Sequence, residues 1–228
     1  MSNSLGYQPP PNGWRTFLIV WLTQSFSAFG SQLTFFTIVV WLTQVLYPRP
    51  EQKPELAFAI SALGLAFGVP AIFAAPIAGA WADRHDRKRT MLIVDFLHGL
   101  LVLVLLGLVL SGNLQLWMLL VLSVFASFLS SFHWSAFSTS YSMLVPQAQL
   151  PRANGMMTTT EALSGILAPT VAATLLALPA LARQGAMGGA LGASLATLGD
   201  GAALTLSIDA LTFFVAAGTL VFLRVPSP

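Results

Sequence analysis

The sequence predicts an all-α membrane protein with six transmembrane helices, and two observations support that prediction. Hydrophobic residues make up 56% of the chain and charged residues only 8%, whereas an ordinary soluble domain carries about 25% charged residues. A helix needs about 20 apolar residues to cross the hydrocarbon core of a bilayer, and the chain contains six such runs. They cover residues 17–45, 56–82, 91–110, 116–139, 156–178 and 204–223.

The distribution of Lys and Arg predicts that both chain ends are cytoplasmic, because short cytoplasmic loops carry an excess of these residues. With the N-terminus inside, seven of them fall on the cytoplasmic side and three on the outer side. The inner seven are Arg15, Arg84, Arg87, Lys88, Arg89, Arg152 and Arg224, and the outer three are Arg49, Lys53 and Arg183. Residues 1–14 are then a cytoplasmic polar tail, and residues 225–228 a cytoplasmic end.

Composition also excludes several classes of site. The chain has no cysteine, so it has neither disulfides nor thiolate metal ligands. Its net charge of +2 is small and its arginines cluster in one loop, which argues against a nucleic-acid-binding surface. His98 and His133 stand alone in the sequence, so we expect interior residues rather than metal ligands. Neither a metal nor a cofactor is expected.

The stretch GAWADRHDRKRT, residues 79–90, joins spans two and three and carries six of the eighteen charged residues. As a basic hairpin it would anchor the topology. The order and spacing of Gly79, Asp83, Arg84, Arg87 and Lys88 add more, because they resemble the loop signature G-x-x-x-D-R-x-G-R-R of the major facilitator superfamily. The variant D-R-x-D-R-K-R, residues 144–155 and residues 208–226 resemble its drug, macrolide and siderophore exporters.

This resemblance covers the N-terminal half of a twelve-span fold, and it implies inverted three-span repeats. It implies an ion-coupled exporter of small amphipathic compounds that works by alternating access in a bacterial cell membrane. The partners implied are the lipid bilayer, the substrate, and a second six-span half or dimer partner. We expect the 228 residues to insert alone but not to transport.

The resemblance implies a gating role for the hairpin: Gly79 permits close helix approach, and Asp83 sits near the positive end of a helix in the second half. The superfamily's antiporters also carry a fifth-span glycine pattern. Its positions here hold Gly155, Ser164, Ala168, Pro169, Ala172 and Ala173. Small residues at this spacing equally describe the tight packing of two helices.

Ionisable residues at membrane depth are functional candidates, because burying them there costs several kcal/mol. Glu161 shares a helical face with Ala168 and Ala172, which makes it a candidate proton or cation site. Pairing with Arg152 near the inner interface is an equal alternative. Asp95 and Asp209 are candidates for the same proton or substrate site. For Asp95 a structural ion pair near the basic hairpin is the favoured alternative, and for Asp209 the alternative is a solvated or helix-start carboxylate.

Uncharged polar stripes on spans one and four are candidates for the lining of a central cavity, because such stripes must face protein or water. Helix packing through serine hydrogen bonds is the alternative. The candidates are Gln24, Ser27, Ser31, Gln32, Ser127, Ser130 and Trp134. Span four contains no Arg, Lys, Asp or Glu, so proton coupling through a span-four arginine is unsupported.

Two other functions fit six spans. An intramembrane enzyme is disfavoured, because the sequence has neither G-x-S-G nor H-E-x-x-H and its nearest approach to G-x-G-D lies in the connection 181–201. We expect that Gly- and Ala-rich connection to be a flexible or weakly interfacial loop. A six-span half that assembles with or regulates other membrane proteins, without transporting, stays open.

Overall fold

The computed structural model describes residues 10–223, which form seven α-helices joined by short connections. They are α1 (Gly13–Trp41), α2 (Lys53–Arg84), α3 (Arg87–Leu110), α4 (Leu116–Leu144), α5 (Leu150–Arg183), α6 (Gly189–Ala196) and α7 (Ala202–Phe222). A π-helical turn, Leu42–Leu46, extends α1. Most of the predicted polar tail, Arg224 and the end 225–228 lie outside the described residues.

Six of the helices in residues 10–223 are long and apolar enough to cross a membrane: α1 with its extension, α2, α3, α4, α5 and α7. Predicted span six is therefore α7. The expectation of a loop over residues 181–201 was wrong in part, because α5 continues to Arg183 and α6 follows. The guanidinium of Arg183 donates to the carbonyl of Leu198 at 2.6 Å, which ties this connection to the end of α5.

The helices extend beyond the apolar runs because local signals, and not hydropathy, set their ends. Asp86 is the N-cap of α3, and its Oδ1 accepts a hydrogen bond from the backbone N–H of Arg89 at 3.0 Å. This bond satisfies one of the free amides of the first turn. Pro151 lies in the first turn of α5, where its missing N–H removes no helical bond.

The packing order of the six long helices is symmetric. At the centre α3 packs on α7; α4 then packs on α3 and α1 on α7, while α2 packs on α4 and α5 on α1. Exchanging α1, α2 and α3 with α4, α5 and α7 leaves this pattern unchanged. It is the arrangement that two inverted three-helix repeats produce.

Two sides of the bundle are named here by their connections. The hairpin side carries residues 85–86 and 145–149, and the loop side carries residues 47–52, 111–115 and 184–201. The core on the hairpin side is built around Phe17, Met91 and Leu144. Large apolar side chains stay exposed along α2 and α5, among them Ile72 and Ile166, each 70% exposed.

Candidate functional site

A cavity of about 510 Å³ lies between the helices in the half of the bundle nearest the loop side. This size falls within the range of small-molecule sites, about 300–1,000 Å³. Its walls are Ser31, Gln32, Thr34, Phe35 and Ile38 of α1, Leu63, Gly64, Phe67 and Gly68 of α2, His98, Leu101, Val102 and Leu105 of α3, Leu119, Leu122, Ser123, Ala126 and Ser130 of α4, and Asp209 and Phe213 of α7.

The predicted polar stripes divide between the cavity and the helix contacts. Ser31, Gln32 and Ser130 line the cavity. Gln24 and Ser27 do not, because both are buried where α1 packs against its neighbours. The prediction that these two line the cavity was wrong.

Of the two further lining predictions, both on α4, the one for Ser127 was wrong and the one for Trp134 stays a prediction. Ser127 is buried and its hydroxyl donates to the carbonyl of Phe67 in α2 at 2.5 Å, so it joins two helices. Trp134 is 57% exposed and is not part of the cavity wall. The helix-packing alternative therefore holds for the parts of the stripes that neighbouring helices cover.

Asp209 is buried, so the expectation of a solvated or helix-start carboxylate was wrong. It lies seven residues into α7, is 1% exposed and contributes to the cavity wall. Its Oδ2 accepts a hydrogen bond from Thr34 of α1 at 2.5 Å, while Oδ1 has no hydrogen-bond partner among the described residues. Gly30 makes this approach of α1 and α7 possible, since a Cβ there would lie 2.6 Å from Oδ1.

Asp95 is completely buried, and its neighbours are a glutamine and a histidine instead of the basic hairpin. The amide of Gln24 in α1 donates to Oδ2 at 2.8 Å, and Nε2 of His133 in α4 lies 3.2 Å from Oδ1. The expected ion pair with the hairpin was wrong. His133 is not isolated either, because it stands beside this carboxylate.

Glu161 is exposed on α5 and does not line the cavity. Ala168 and Ala172, with which it was predicted to share a helical face, are buried on α5 and pack around Leu33 of α1. The alternative pairing with Arg152 is not among the ion pairs of the described residues. The guanidinium of Arg152 lies over the ring of Trp14, 5.3 Å from its centroid.

Comparison with known proteins identifies the family. Residues 20–228 match the sequence model of the Major Facilitator Superfamily. The chain belongs to the major facilitator superfamily. This agrees with the prediction from residues 79–90, and the intramembrane-enzyme alternative is set aside because the superfamily consists of transporters.

Curated relatives of this superfamily chain are named macrolide efflux protein A. The one from Streptococcus pyogenes is 28% identical over 165 residues, which are 72% of this chain and 39% of that protein. The one from Enterococcus faecalis is 32% identical over 119 residues, which are 52% of this chain and 36% of that protein. The matches thus span less than half the length of these relatives. No solved structure matches the chain.

The superfamily hairpin has two parts with different surroundings. Arg87 and Lys88 bind it to the bundle: the guanidinium of Arg87 donates to Sδ of Met143 in α4, and the Nζ of Lys88 donates to the carbonyl of Val221 in α7 at 3.0 Å. Asp83 and Arg84 are exposed instead. A Cβ on Gly79 would meet no described atom within 4 Å.

The residues of the fifth-span pattern likewise lie on two different sides of α5. Ser164, Ala168 and Ala172 are buried toward α1, which is the close packing that small residues allow. Gly155 and Ala173 are exposed. The helix continues through Pro169 without a break.

Sequence reasoning missed the relation between the two histidines and Asp95. Asp95 and His98 lie one turn apart on α3, and Ser130 and His133 one turn apart on α4, so each pair shares a helical face. The hydroxyl of Ser130 lies 3.5 Å from Nε2 of His98. The spacing within each helix was visible in the sequence, but nothing there indicated that the two faces meet.

Proposed function

We propose that this chain forms one half of an exporter that moves small amphipathic compounds across a bacterial cell membrane by alternating access. The observation that supports it best is the cavity of about 510 Å³ between five membrane-crossing helices. Its wall is mainly apolar with a few converging polar groups, which is the composition of small-molecule sites. Membership of a transporter superfamily supports a transport role for that cavity.

The substrate class follows from the charge of the wall. Asp209 contributes a carboxylate, and the described residues that line the cavity include neither Lys nor Arg. An apolar cavity with one acidic group favours an amphipathic compound that carries a protonated amine. The name of the curated relatives, macrolide efflux protein, is in keeping with such a compound.

A second six-span half would complete the transporter. It would be supplied by a longer product of the same gene or by a partner chain. Glu161 is exposed on α5, a helix that also exposes large apolar side chains such as Ile166 and Leu167. A carboxylate inside a transmembrane helix almost always faces protein or water. The surface of α5 around Glu161 is therefore better suited to contact with protein than with lipid. The same second half would meet Asp83 at the exposed end of α2 and latch the inner gate.

Export by such a unit would be ion-coupled, with the hairpin side cytoplasmic. The Lys and Arg bias that supports this orientation includes Arg87 and Lys88 within the hairpin and Arg152 beyond α4. In this orientation the cavity occupies the outer half of the membrane.

Reconstitution tests the exporter. The chain is purified with and without a co-expressed second half, its oligomeric state is determined, and it is placed in liposomes. Efflux of a dye and of a macrolide is then measured with and without a pH gradient. Efflux only from the two-half complex is expected. Absence of efflux from that complex would reject the exporter function and favour a regulatory half, whereas efflux from a proven monomer would reject the need for a second half.

Asp209→Asn tests the substrate class. Because a hydrogen bond to a charged group contributes about 1.5–3 kcal/mol, the variant should bind a cationic macrolide at least about ten-fold more weakly. Binding of an uncharged amphipathic analogue of similar size is the control and should stay the same. An equal effect on both compounds would show that Asp209 supports the fold of the cavity and does not contact an amine.

A further inference from the structure

The strongest unassigned feature is the buried polar cluster of Asp95, Gln24 and His133, which lies where α1, α3 and α4 meet. Asp95 is fully buried, and the side chain of His133 is 18% exposed. Oδ1 of Asp95 and Nε2 of His133 are 3.2 Å apart, and neither has a hydrogen-bond partner among the described residues. A carboxylate and an imidazole have thus been brought together inside a membrane bundle.

The described side chains around Asp95 do not include a basic residue that would make this cluster a structural ion pair. The helix α1 brings only the neutral amide of Gln24 to Asp95, and α4 brings His133. On α3 itself His98 is one turn away, and in α7 the titratable residue is Asp209, in the cavity wall. No Lys or Arg within residues 10–223 forms an ion pair with Asp95.

Polar side chains lie one helical turn from this cluster, in the cavity wall. His98 and Ser130 both line the cavity, with Ser130 Oγ 3.5 Å from His98 Nε2. One helical turn further from the cavity on each helix come Asp95 and His133. His98 is held in place by stacking on Phe213, with 4.8 Å between the ring centroids. A histidine and a serine in the cavity wall are thus followed, one turn along the same two helices, by a carboxylate and a second histidine.

We propose that Asp95 and His133 form the proton-exchange site of the transporter and that His98 and Ser130 connect it to the substrate cavity. This inference rests on the proposed export function and assigns its coupling ion as the proton. In the loaded state the proton is on Oδ1 of Asp95. On release the O–H bond breaks, an N–H bond forms at Nε2 of His133, and the imidazolium passes its proton to water. The carboxylate that remains keeps the hydrogen bond from Gln24.

The location explains how proton release acts on the substrate site. Asp95 is bound to α1 through Gln24 and stands beside α4 through His133. The same two helices carry Ser31, Gln32 and Ser130 in the cavity wall. A change of charge at Asp95 changes the attraction between α3 and both helices, so it biases how α1 and α4 lie around the cavity. Two ligands coupled in this way typically alter each other's binding about 5- to 150-fold.

Two transport assays on the complete two-half transporter separate proton coupling from substrate movement. The first measures efflux driven by a pH gradient, and the second measures exchange of labelled for unlabelled substrate at equal pH on both sides. Asp95→Asn and His133→Gln should each lower gradient-driven efflux about ten-fold, within the range of coupling between two ligands. Both should leave exchange near the wild-type rate. Ser140→Ala is the matched control: it removes a buried hydroxyl that bonds to Ala136 in its own helix, and should change neither assay.

Proton release provides a second readout. Adding substrate to the purified wild-type complex in weakly buffered solution should release protons, detected with a pH-indicator dye, and Asp95→Asn should abolish that release. Unchanged gradient-driven efflux in either variant overturns the proposal, and so does an equal loss of efflux and exchange, which would indicate a structural role. If Asp95→Asn does not insert, His133→Gln decides. Wild-type protein inactive in both assays would instead reject the export function itself.

Discussion

Replacing Gly30 by alanine tests how closely α1 and α7 approach each other at Asp209. A Cβ at this position would lie 2.6 Å from Oδ1 of Asp209, 2.7 Å from the hydroxyl of Thr212 and 3.1 Å from the Cα of Asp209. These distances are well below the contact distances of about 3.5–4.0 Å between carbon atoms. Because one of the three atoms belongs to the backbone, rotating a side chain does not relieve the clash, and the two helices must separate.

The expected magnitude follows from a comparison with a second helical glycine. A Cβ on Gly107 in α3 would meet no described atom within 4 Å, so Gly107→Ala changes helix propensity alone. That change favours the variant by up to about 1 kcal/mol. Gly30→Ala gains the same propensity but overpacks an interface, which typically costs about 1–3 kcal/mol. The free energies of unfolding of the two variants should therefore differ by about 1–3 kcal/mol, with Gly30→Ala the less stable.

Thermal unfolding of both variants in the same detergent measures this difference. For a chain of this size, 1 kcal/mol corresponds to roughly 2–4 °C in Tm. Gly30→Ala should also bind cationic substrate more weakly, because the separation moves Asp209 away from Thr34. Equal Tm values for the two alanine variants would refute the close approach of α1 and α7 at this point.

Two further outcomes are expected. Asp86→Ala should destabilise the protein by about 1 kcal/mol through loss of the α3 N-cap, whereas Asp83→Ala, at an exposed position, should stay within about 0.5 kcal/mol of wild type in the same unfolding assay; equal effects would contradict the capping role. The chain has no cysteine, so single cysteines can be labelled without background. Ser31→Cys should react with a membrane-impermeant maleimide and be protected by transported compounds, whereas buried Ser27→Cys should stay unlabelled. Labelling of both would contradict the boundary of the cavity.

The hairpin was the part of the molecule most readable from the sequence, because its information is local. Gly79 and the charged residues that follow it lie between two apolar runs. Their spacing along the chain can be recognised without knowing how the helices pack. The capping role of Asp86 is equally local, since it needs only the amide of Arg89 three residues on. The surroundings of the carboxylates inside the spans were predicted incorrectly for the opposite reason. The neighbours of Asp95 are 71 residues away at Gln24 and 38 residues away at His133.

The sequence by itself determined six membrane-spanning helices, because hydropathy acts residue by residue along the chain, and the motif of the hairpin pointed to the major facilitator superfamily by resemblance. Only the tertiary structure decided which polar residues face the cavity and which join helices. Gln24 and Ser31 lie on the same helix, two turns apart, yet one bonds to Asp95 and the other lines the cavity. The difference arises because neighbouring helices cover α1 at one level and leave it open at another, and the periodicity of a single helix carries no information about where its neighbours diverge.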